Sequence, residues 1–352
     1  MPSRDAAGDP YRCHPLKQTP MTTQQTPAVL HTPTEVAGAP AARPDAAPGP
    51  LDLLAIVLMV ILCLSWGLNQ VAVKLALPDV PPVIQATIRA VGATVLLAIW
   101  MRLRGVAFDF ADGTLKPGLL IGLLFAVQFV LIYRGLLYTS ASRSVVYLST
   151  APIFVVIAAR WFLPSERFTP LQWGGLSVSF VGIILAFGEA SPFAKPEQAL
   201  GNIMMLIAAI GAAGTTLIAK ASVLSRAPCE KTLLYQLGAA VPVSALAAAV
   251  LGEHIESMPS NLSIASLTFQ TAWVVFITYL LWYGLIQHYS ANRLAALTFL
   301  TPLFGVAAGY LVLDEPMTPW FLTAVAMVTV GTSLPRVPDL LALRSRLSPP
   351  RR

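Results

Sequence analysis

The chain has 352 residues, of which 56% are hydrophobic and only 11% are charged, and its formal net charge is +6. Soluble domains carry about a quarter of charged residues, so this composition excludes a soluble globular protein. The basic residues lie in separate loops and in the C-terminal tail rather than in one patch, which argues against a nucleic-acid partner. Three cysteines and four histidines without close spacing indicate no disulfide framework, metal site or other cofactor.

Residues 1–50 are rich in Pro, Ala, Thr and Gln and lack hydrophobic periodicity, which predicts a disordered N-terminal tail. From Leu51 onward, many apolar runs reach the roughly 20 residues that a helix needs to cross a membrane. Backbone amides in lipid must be satisfied within their own segment, so each run is predicted to be a helix. We predict an all-α integral membrane protein with ten transmembrane helices, near 51–77, 81–101, 118–138, 141–163, 170–188, 200–222, 232–251, 265–288, 291–313 and 318–335.

The charged residues predict the orientation of these spans. With a cytoplasmic N-terminus, the inner loops and the tail at 336–352 collect nearly all basic residues, whereas the outer loops keep only Arg143 and Lys195. The positive-inside rule then predicts that both termini lie in the cytoplasm. The expected location is the cell (inner) membrane.

One sequence pattern occurs twice. Residues 138–154 read YTSASRSVVYLSTAPIF and residues 288–304 read HYSANRLAALTFLTPLF, with identical residues at five positions. The copies begin the fourth and ninth spans, so corresponding spans are five helices apart. Because five is an odd number, corresponding spans cross the membrane in opposite directions, and the second half should be inverted relative to the first. Inverted repeats are typical of transporters that alternate access around a central site, although apolar helices can also resemble one another by chance. The predicted five-helix repeats are 51–188 and 200–335.

Longer stretches resemble EamA-type permeases of the drug/metabolite transporter superfamily. They are WGLNQVAVKLALPDVPPVIQATIRAVGA, LIYRGLLYTSASRSVVYLSTAPIFVVIAARWFLPSERFTPLQWGGLSVSFVGIIL and LLWYGLIQHYSANRLAALTFLTPLFGVAAGYLVLDEPMTPWFLTAVAMVTVGTSL. In both halves a glutamate precedes Thr-Pro, at Glu166 and Glu315, and a glycine follows at the matching positions Gly182 and Gly331. The resemblance implies ten helices in two inverted repeats, a cavity built mainly from the first four helices of each half, and transport of amino acids or other small metabolites, often outward.

Two spans carry a polar and aromatic stripe at offsets i, i+3, i+4 and i+8. The stripe residues are Trp66, Asn69, Gln70 and Lys74 in the first span and Tyr279, Trp282, Tyr283 and Gln287 in the eighth. Such stripes should face the protein interior rather than lipid, because lipid offers polar groups no partner. Whether that interior is a solute path or a helix–helix contact stays open.

Three basic residues, Lys74, Arg89 and Arg134, fall within spans, whereas every acidic residue lies in a tail, in a loop or at a span edge. A membrane-embedded cation is costly unless it is paired or hydrated. These cations therefore suit a solute with a carboxylate or other anionic group, and no deep carboxylate is available as a proton relay. Alternatively, Lys74 extends to the outer surface or pairs with Asp79, and Arg134 reaches the same interface. Arg89 is harder to explain in this way, because it lies about 12 Å along its helix from the outer end.

Pro152 and Pro302 lie well inside the fourth and ninth spans. Proline lacks an amide hydrogen and clashes with the carbonyl four residues back, here those of Leu148 and Thr298. We expect a kink at each proline that shapes the cavity and acts as a hinge, although a bend in a packed bundle is the alternative. The candidate solute-binding residues are Trp66, Asn69, Lys74, Arg89, Gln128, Tyr147, Tyr279, Trp282 and Tyr283.

The function indicated is a permease that moves a small metabolite by alternating access, and an exporter is favoured. A non-transporting structural or signalling bundle is the alternative, and an intramembrane enzyme is disfavoured because the spans contain no buried acid and no clustered His or Cys. The expected partners are the solute and the bilayer. A homodimer stays open, because small residues in the fifth span would permit close helix packing, namely Gly174, Gly175, Ser177 and Ser179.

Overall fold

The computed structural model describes residues 52–106, 112–162, 170–189, 196–289 and 300–334, together with Leu294, Leu297 and Thr298. The predicted disordered tail at 1–50 and the predicted basic tail at 336–352 lie outside this part of the chain. So do Glu166 and most of the first turns of the predicted ninth span.

The elements of the described chain are helices. They are α1 Leu53–Ala76, α2 Pro82–Leu103, α3 Leu115–Tyr138, α4 Ala141–Leu148, α5 Ala151–Phe162, α6 Pro170–Glu189, α7 Pro196–Ala221, α8 Cys229–Val250, α9 Asn261–Thr268, α10 Thr278–His288, α11 Leu300–Leu313 and α12 Pro319–Ser333. A π-helical segment at Phe269–Ile277 joins α9 to α10, and a 3₁₀ turn at Val223–Arg226 precedes α8.

In the described ranges, six helices are long and apolar enough to cross a membrane. They are α1, α2, α3, α7, α8 and the run Asn261–Trp282, which passes through the π segment. The helices α11 and α12 and the stretch 173–186 of α6 are also apolar, but they are shorter. The all-α class and the multi-pass character are therefore confirmed, whereas the count of ten spans and the inverted repeats stay predictions.

The structure differs from the expectation that the predicted fourth span, 141–163, is a single helix with a kink at Pro152. The chain forms two helices there, α4 and α5, separated by Ser149 and Thr150. Pro152 is the second residue of α5 and Pro302 is the third residue of α11. In the first turn of a helix the missing amide hydrogen is not needed, so each proline lies where a helix begins rather than inside one.

Local sequence explains several helix starts. The side chain of Asp52 accepts a hydrogen bond from the Ala55 amide at 2.8 Å at the start of α1, and Ser140 accepts one from the Arg143 amide at 3.1 Å at the start of α4. Both residues occupy the N-cap, the position directly before the first helical residue. Ser, Thr and Asp are preferred at the N-cap because their side chains accept hydrogen bonds from amides that have no partner in the helix.

Helix packing brings together elements far apart in sequence. The helix α1 packs on α11, α3 packs on α7 and α8, and α6 packs on α12. The α6–α12 crossing has glycines at matching positions of the two predicted repeats. A Cβ on Gly182 would lie 2.9 Å from the Met327 Cβ, and a Cβ on Gly331 would lie 2.5 Å from the Gly175 carbonyl oxygen. Glycine is required at both positions because the backbones approach so closely.

This crossing also uses small residues that the sequence offered for a homodimer. Gly175 lies against Gly331, and Ser179 donates a hydrogen bond to the Val328 carbonyl at 3.4 Å. A Cβ on Gly174 would meet nothing within 4 Å, and Ser177 is exposed. Part of the small-residue stripe thus serves packing within the chain, and the homodimer stays a prediction.

We expect the substitution Gly67→Ala to destabilise the contact between α1 and α11. A Cβ at Gly67 would lie 2.7 Å from the Gly305 amide nitrogen and 3.0 Å from the Thr301 carbonyl oxygen, both backbone atoms that cannot rotate away. Overpacking of this kind costs about 1–3 kcal/mol. The measurement is the unfolding temperature in detergent. The matched control is Gly238→Ala in α8, where a Cβ meets nothing within 4 Å, so this variant should be neutral or more stable.

Candidate solute-binding site

Helices of both predicted repeats line a partly open cavity of about 180 Å³. A water molecule needs only about 10–15 Å³ of such space, so the cavity admits a small solute. Five of the candidate residues line it, namely Trp66, Asn69, Arg89, Gln128 and Tyr279. Of the two stripes, Trp66, Asn69 and Gln70 of α1 and Tyr279 of α10 thus line a shared cavity, whereas Lys74 and Trp282 are not among its lining residues.

Arg89 is the charged residue of this lining and is 4% exposed. Its guanidinium carbon lies 3.9 Å from the centre of the Phe129 ring, and its Nη1 donates a hydrogen bond to the Tyr133 hydroxyl at 3.2 Å. Within the described residues, no carboxylate oxygen lies within 4 Å of Arg89. An aromatic face and a phenol stabilise the cation only in part, so the site has a charge that an anion can neutralise.

A chain of hydrogen bonds holds Arg89 in place. The Tyr133 hydroxyl donates to Gln270 Oε1 at 2.6 Å, and Gln270 Nε2 donates to Gln85 Oε1 at 3.4 Å. Gln85 Nε2 in turn donates to the Val80 carbonyl at 2.9 Å, close to the start of α2. Gln85, Arg89 and Tyr133 belong to the first predicted repeat and Gln270 to the second, so this chain links the two repeats beside the cavity.

Within the part of the chain that the structure describes, three amide oxygens in the cavity lining receive no hydrogen bond. They are Asn69 Oδ1, Gln70 Oε1 and Gln128 Oε1, and all three are buried. A buried acceptor without a donor costs free energy of about 1–3 kcal/mol. Water or a solute bearing N–H or O–H groups would satisfy them. The cavity thus offers a cation and a set of acceptors to one bound molecule.

Trp66 forms one wall of the cavity, and residues of the second predicted repeat hold its side chain in place. Its indole Nε1 donates to the Thr278 hydroxyl at 2.9 Å, and its ring meets the Trp282 ring edge-on with 5.7 Å between centres. Trp282 therefore acts on the cavity through Trp66. The π segment ends next to Thr278, and it contributes Val274 and Val275 to the lining. The wider turn of a π-helix is common at functional sites.

A second cavity of about 260 Å³ shares Trp66, Gln70 and Leu148 with the first. Both hinge candidates, Pro152 and Pro302, line it. Leu148, whose carbonyl a continuous helix would bring against the Pro152 ring, lines both cavities, and Thr298 lines the second. The helix break thus lies at the second cavity, which Ser149 lines.

The remaining candidates lie elsewhere. Lys74 is close enough to Glu315 for an electrostatic interaction, which replaces the pairing with Asp79 that the sequence allowed. Arg134 forms an ion pair with Glu253 at 3.2 Å. Tyr147 is fully buried in the largest apolar cluster, and the side chain of Tyr283 lies outside the described part of the structure.

A model of the EamA-like transporter family matches the chain twice, over residues 53–188 and 199–335. The chain belongs to the EamA-like transporter family. Membership identifies a transporter rather than an enzyme, and it confirms the resemblance noted in the sequence. It also disfavours the alternative function, a structural or signalling helix bundle that transports nothing.

Relatives of this EamA-like transporter cover most of its length. An uncharacterized transporter of Archaeoglobus fulgidus is 26% identical over 270 residues, covering 76% of this chain and 92% of the relative. A Salmonella typhimurium protein named "Probable amino-acid metabolite efflux pump" is 25% identical over 286 residues, covering 79% and 92%. A solved structure titled "Crystal structure of protein" has a TM-score of 0.58 and 18% identity, covers 84% of this chain and 99% of that chain, and supports the fold.

Proposed function

We propose that this EamA-like transporter exports a small metabolite, an amino acid or a related solute with an anionic group, across the inner membrane by alternating access. The observation that carries the proposal is Arg89, a buried guanidinium that faces the 180 Å³ cavity with no carboxylate within 4 Å among the described residues. The anionic group of the solute supplies the missing counter-charge.

The amide oxygens of Asn69, Gln70 and Gln128 extend this argument to the rest of the solute. An ammonium group has three N–H donors and no acceptor, which matches these oxygens, since no described residue donates to them. A solute with a carboxylate at one end and an ammonium beside it satisfies both features of the cavity. The name of the Salmonella relative, an amino-acid metabolite efflux pump, agrees with this class and with outward transport.

Alternating access is supported by the two family matches in one chain and by the matched glycines of the α6–α12 crossing. In this proposal the halves are inverted relative to each other, and both chain termini face the cytoplasm. The two cavities share three lining residues, so in this proposal the solute moves from Arg89 toward the cavity lined by the prolines during the transport cycle.

The test is counterflow in proteoliposomes, with a panel of amino acids, their deaminated carboxylic acids and their decarboxylated amines. We expect saturable uptake, accelerated by the same solute inside, for at least one amino acid and weaker uptake for the acid or amine derived from it. Running the panel with and without a pH gradient identifies proton coupling. Uptake equal to that of protein-free liposomes for every solute would contradict the proposal.

A further inference from the structure

Three carboxylates at one end of the bundle each bind the first turn of a helix from the other half of the chain. They are Asp79 in the α1–α2 connection, Glu253 in the α8–α9 connection and Glu315 in the α11–α12 connection. The halves meant here are the two segments that the family model matches, 53–188 and 199–335. We call these three side chains the carboxylate latches.

Glu253, from the second half, binds the start of α2 and the side of α3. Its Oε2 accepts hydrogen bonds from the amides of Val83 at 2.8 Å and Ile84 at 3.1 Å. Its Oε1 accepts one from Arg134 Nη1 at 3.2 Å, and the Glu253 side chain is 7% exposed. Both oxygens of a nearly buried carboxylate are therefore used across the two halves.

Glu315, also from the second half, binds the start of α4 in the same way. Its Oε1 accepts from the Ala141 amide at 2.6 Å and its Oε2 accepts from the Ser142 amide at 2.9 Å. The space for this carboxylate exists because residue 309 is glycine, since a Cβ there would lie 2.6 Å from Glu315 Oε2. Lys74 of the first half adds an electrostatic interaction.

Asp79 makes the reciprocal contact, from the first half to the start of α9. Its Oδ2 accepts from the Ser260 amide at 2.9 Å, from the Ser260 hydroxyl at 2.5 Å and from the Ser263 hydroxyl at 2.6 Å. These hydrogen bonds hold the pKa of Asp79 below its ordinary value, so the side chain stays charged at any physiological pH.

These contacts share one physical basis. The first amides of a helix have no partner within the helix, and they carry the positive end of its dipole, so a carboxylate is attracted there. Hydrogen bonds with one charged partner are about twice as strong as neutral ones. The connections that carry the latches follow α1, α8 and α11 and precede α2, α9 and α12, so the halves cannot separate at this end unless the latches release.

We propose that the three carboxylate latches form a gate that closes this end of the transporter, and that transport requires their release. The inference rests on the proposed alternating access. Asp79, Glu253 and Glu315 act by positioning α9, α2 and α4, and they do not contact the solute. When the latches are released, the solute cavity becomes accessible from this end.

The test measures access to the cavity with a reporter cysteine, so it needs no solute. In a chain whose native cysteines, Cys13, Cys63 and Cys229, are replaced by serine or alanine, the substitution Ala212→Cys places a thiol at the cavity lining. A membrane-impermeant, charged thiol reagent is then added from each membrane face in turn, using spheroplasts and inverted vesicles. With Glu253→Gln and Glu315→Gln together, we expect the reaction from the latch face to become at least fivefold faster while the rate from the opposite face does not rise.

The matched control is Glu256→Gln, the same change in the same connection. Glu256 is exposed, and its partner His254, at 4.0 Å, belongs to that connection rather than to the other half. Glutamine has nearly the volume of glutamate and keeps one oxygen that accepts from amides, so the double variant should fold. If size exclusion shows that it does not, Glu253→Gln and Glu315→Gln are tested singly, each with at least a twofold effect expected.

Three results would overturn the gate: an unchanged rate in folded variants, equal increases from both faces, or the same increase in Glu256→Gln. The first result would mean that the latches have no gating role. The other two would mean that the substitutions loosen the whole helix bundle rather than open one end of it. The proposed solute transport can fail in proteoliposomes while the labelling result stands. A failed labelling test beside intact counterflow removes the gate alone.

Discussion

Replacing Arg89 with glutamine is expected to weaken binding of the transported solute by at least 100-fold in a folded protein. Removing one partner of a buried, hydrogen-bonded charge pair costs about 2–5 kcal/mol. A loss of about 2.7 kcal/mol corresponds to 100-fold in affinity. The structure places Arg89 at 4% exposure on the cavity lining with no carboxylate within 4 Å among the described residues, so the solute is the partner that glutamine would leave unpaired.

The measurement is the dissociation constant from thermal-shift titration, together with counterflow of the same solute. Arg89→Lys keeps the charge and loses the planar fork that binds two carboxylate oxygens, so it should give an intermediate affinity. The matched control is Arg104→Gln, directly after the last residue of α2, where the guanidinium carbon lies 4.8 Å from the Trp100 ring centre and the side chain lines no described cavity. If folded Arg89→Gln protein binds the solute with wild-type affinity, Arg89 serves only to hold Phe129 and Tyr133.

The stripe residues could be predicted from the sequence because lipid gives polar side chains no partner. A 3.6-residue period therefore identifies the inward face of a helix without knowledge of its neighbours. Trp66, Asn69 and Tyr279 were found in this way, and the structure brings them to one cavity. Gln70 lay on the same stripe and lines both cavities, and its side-chain oxygen receives no hydrogen bond from the described residues.

The partners of Arg89 could not be predicted, because periodicity shows which face of a helix is buried and not which helix covers it. Tyr133 is 44 residues from Arg89, and Gln270 is 137 residues from Tyr133, so their contact depends on how helices of the two halves pack. The same limit applies to Lys74. Local spacing suggested Asp79, five residues away, whereas packing brings Glu315 within range of an electrostatic interaction.

The sequence predicted approximately where a helix is broken, but not whether the break is a kink or a full interruption. Proline showed where a continuous helix is disfavoured, at residues 152 and 302, but a kink and a full interruption satisfy the same steric rule. The structure has the interruption at residues 149 and 150. The π segment Phe269–Ile277 had no sequence signal, because its residues are those of any apolar span.

The double substitution Pro152→Ala with Pro302→Ala is expected to slow transport at least tenfold and to leave solute affinity within threefold. In a continuous helix the Pro152 ring would clash with the Leu148 carbonyl, and the Pro302 ring with the Thr298 carbonyl. Alanine is about 3 kcal/mol better than proline in a helix interior, so each change favours a continuous helix by up to about 100-fold. Neither proline lines the cavity that holds Arg89, so binding should change little.

Pro242 provides the matched control, because it is an exposed proline inside α8 and lines neither described cavity. If Pro242→Ala slows counterflow as much as the double variant does, or if affinity falls together with rate, the prolines are bends in a packed bundle. The single variants then separate two mechanisms. Equal slowing by Pro152→Ala and Pro302→Ala is expected if both halves rearrange in each cycle. Slowing by one alone would mean that only its half moves, because a helix that stays fixed gains nothing from being interrupted.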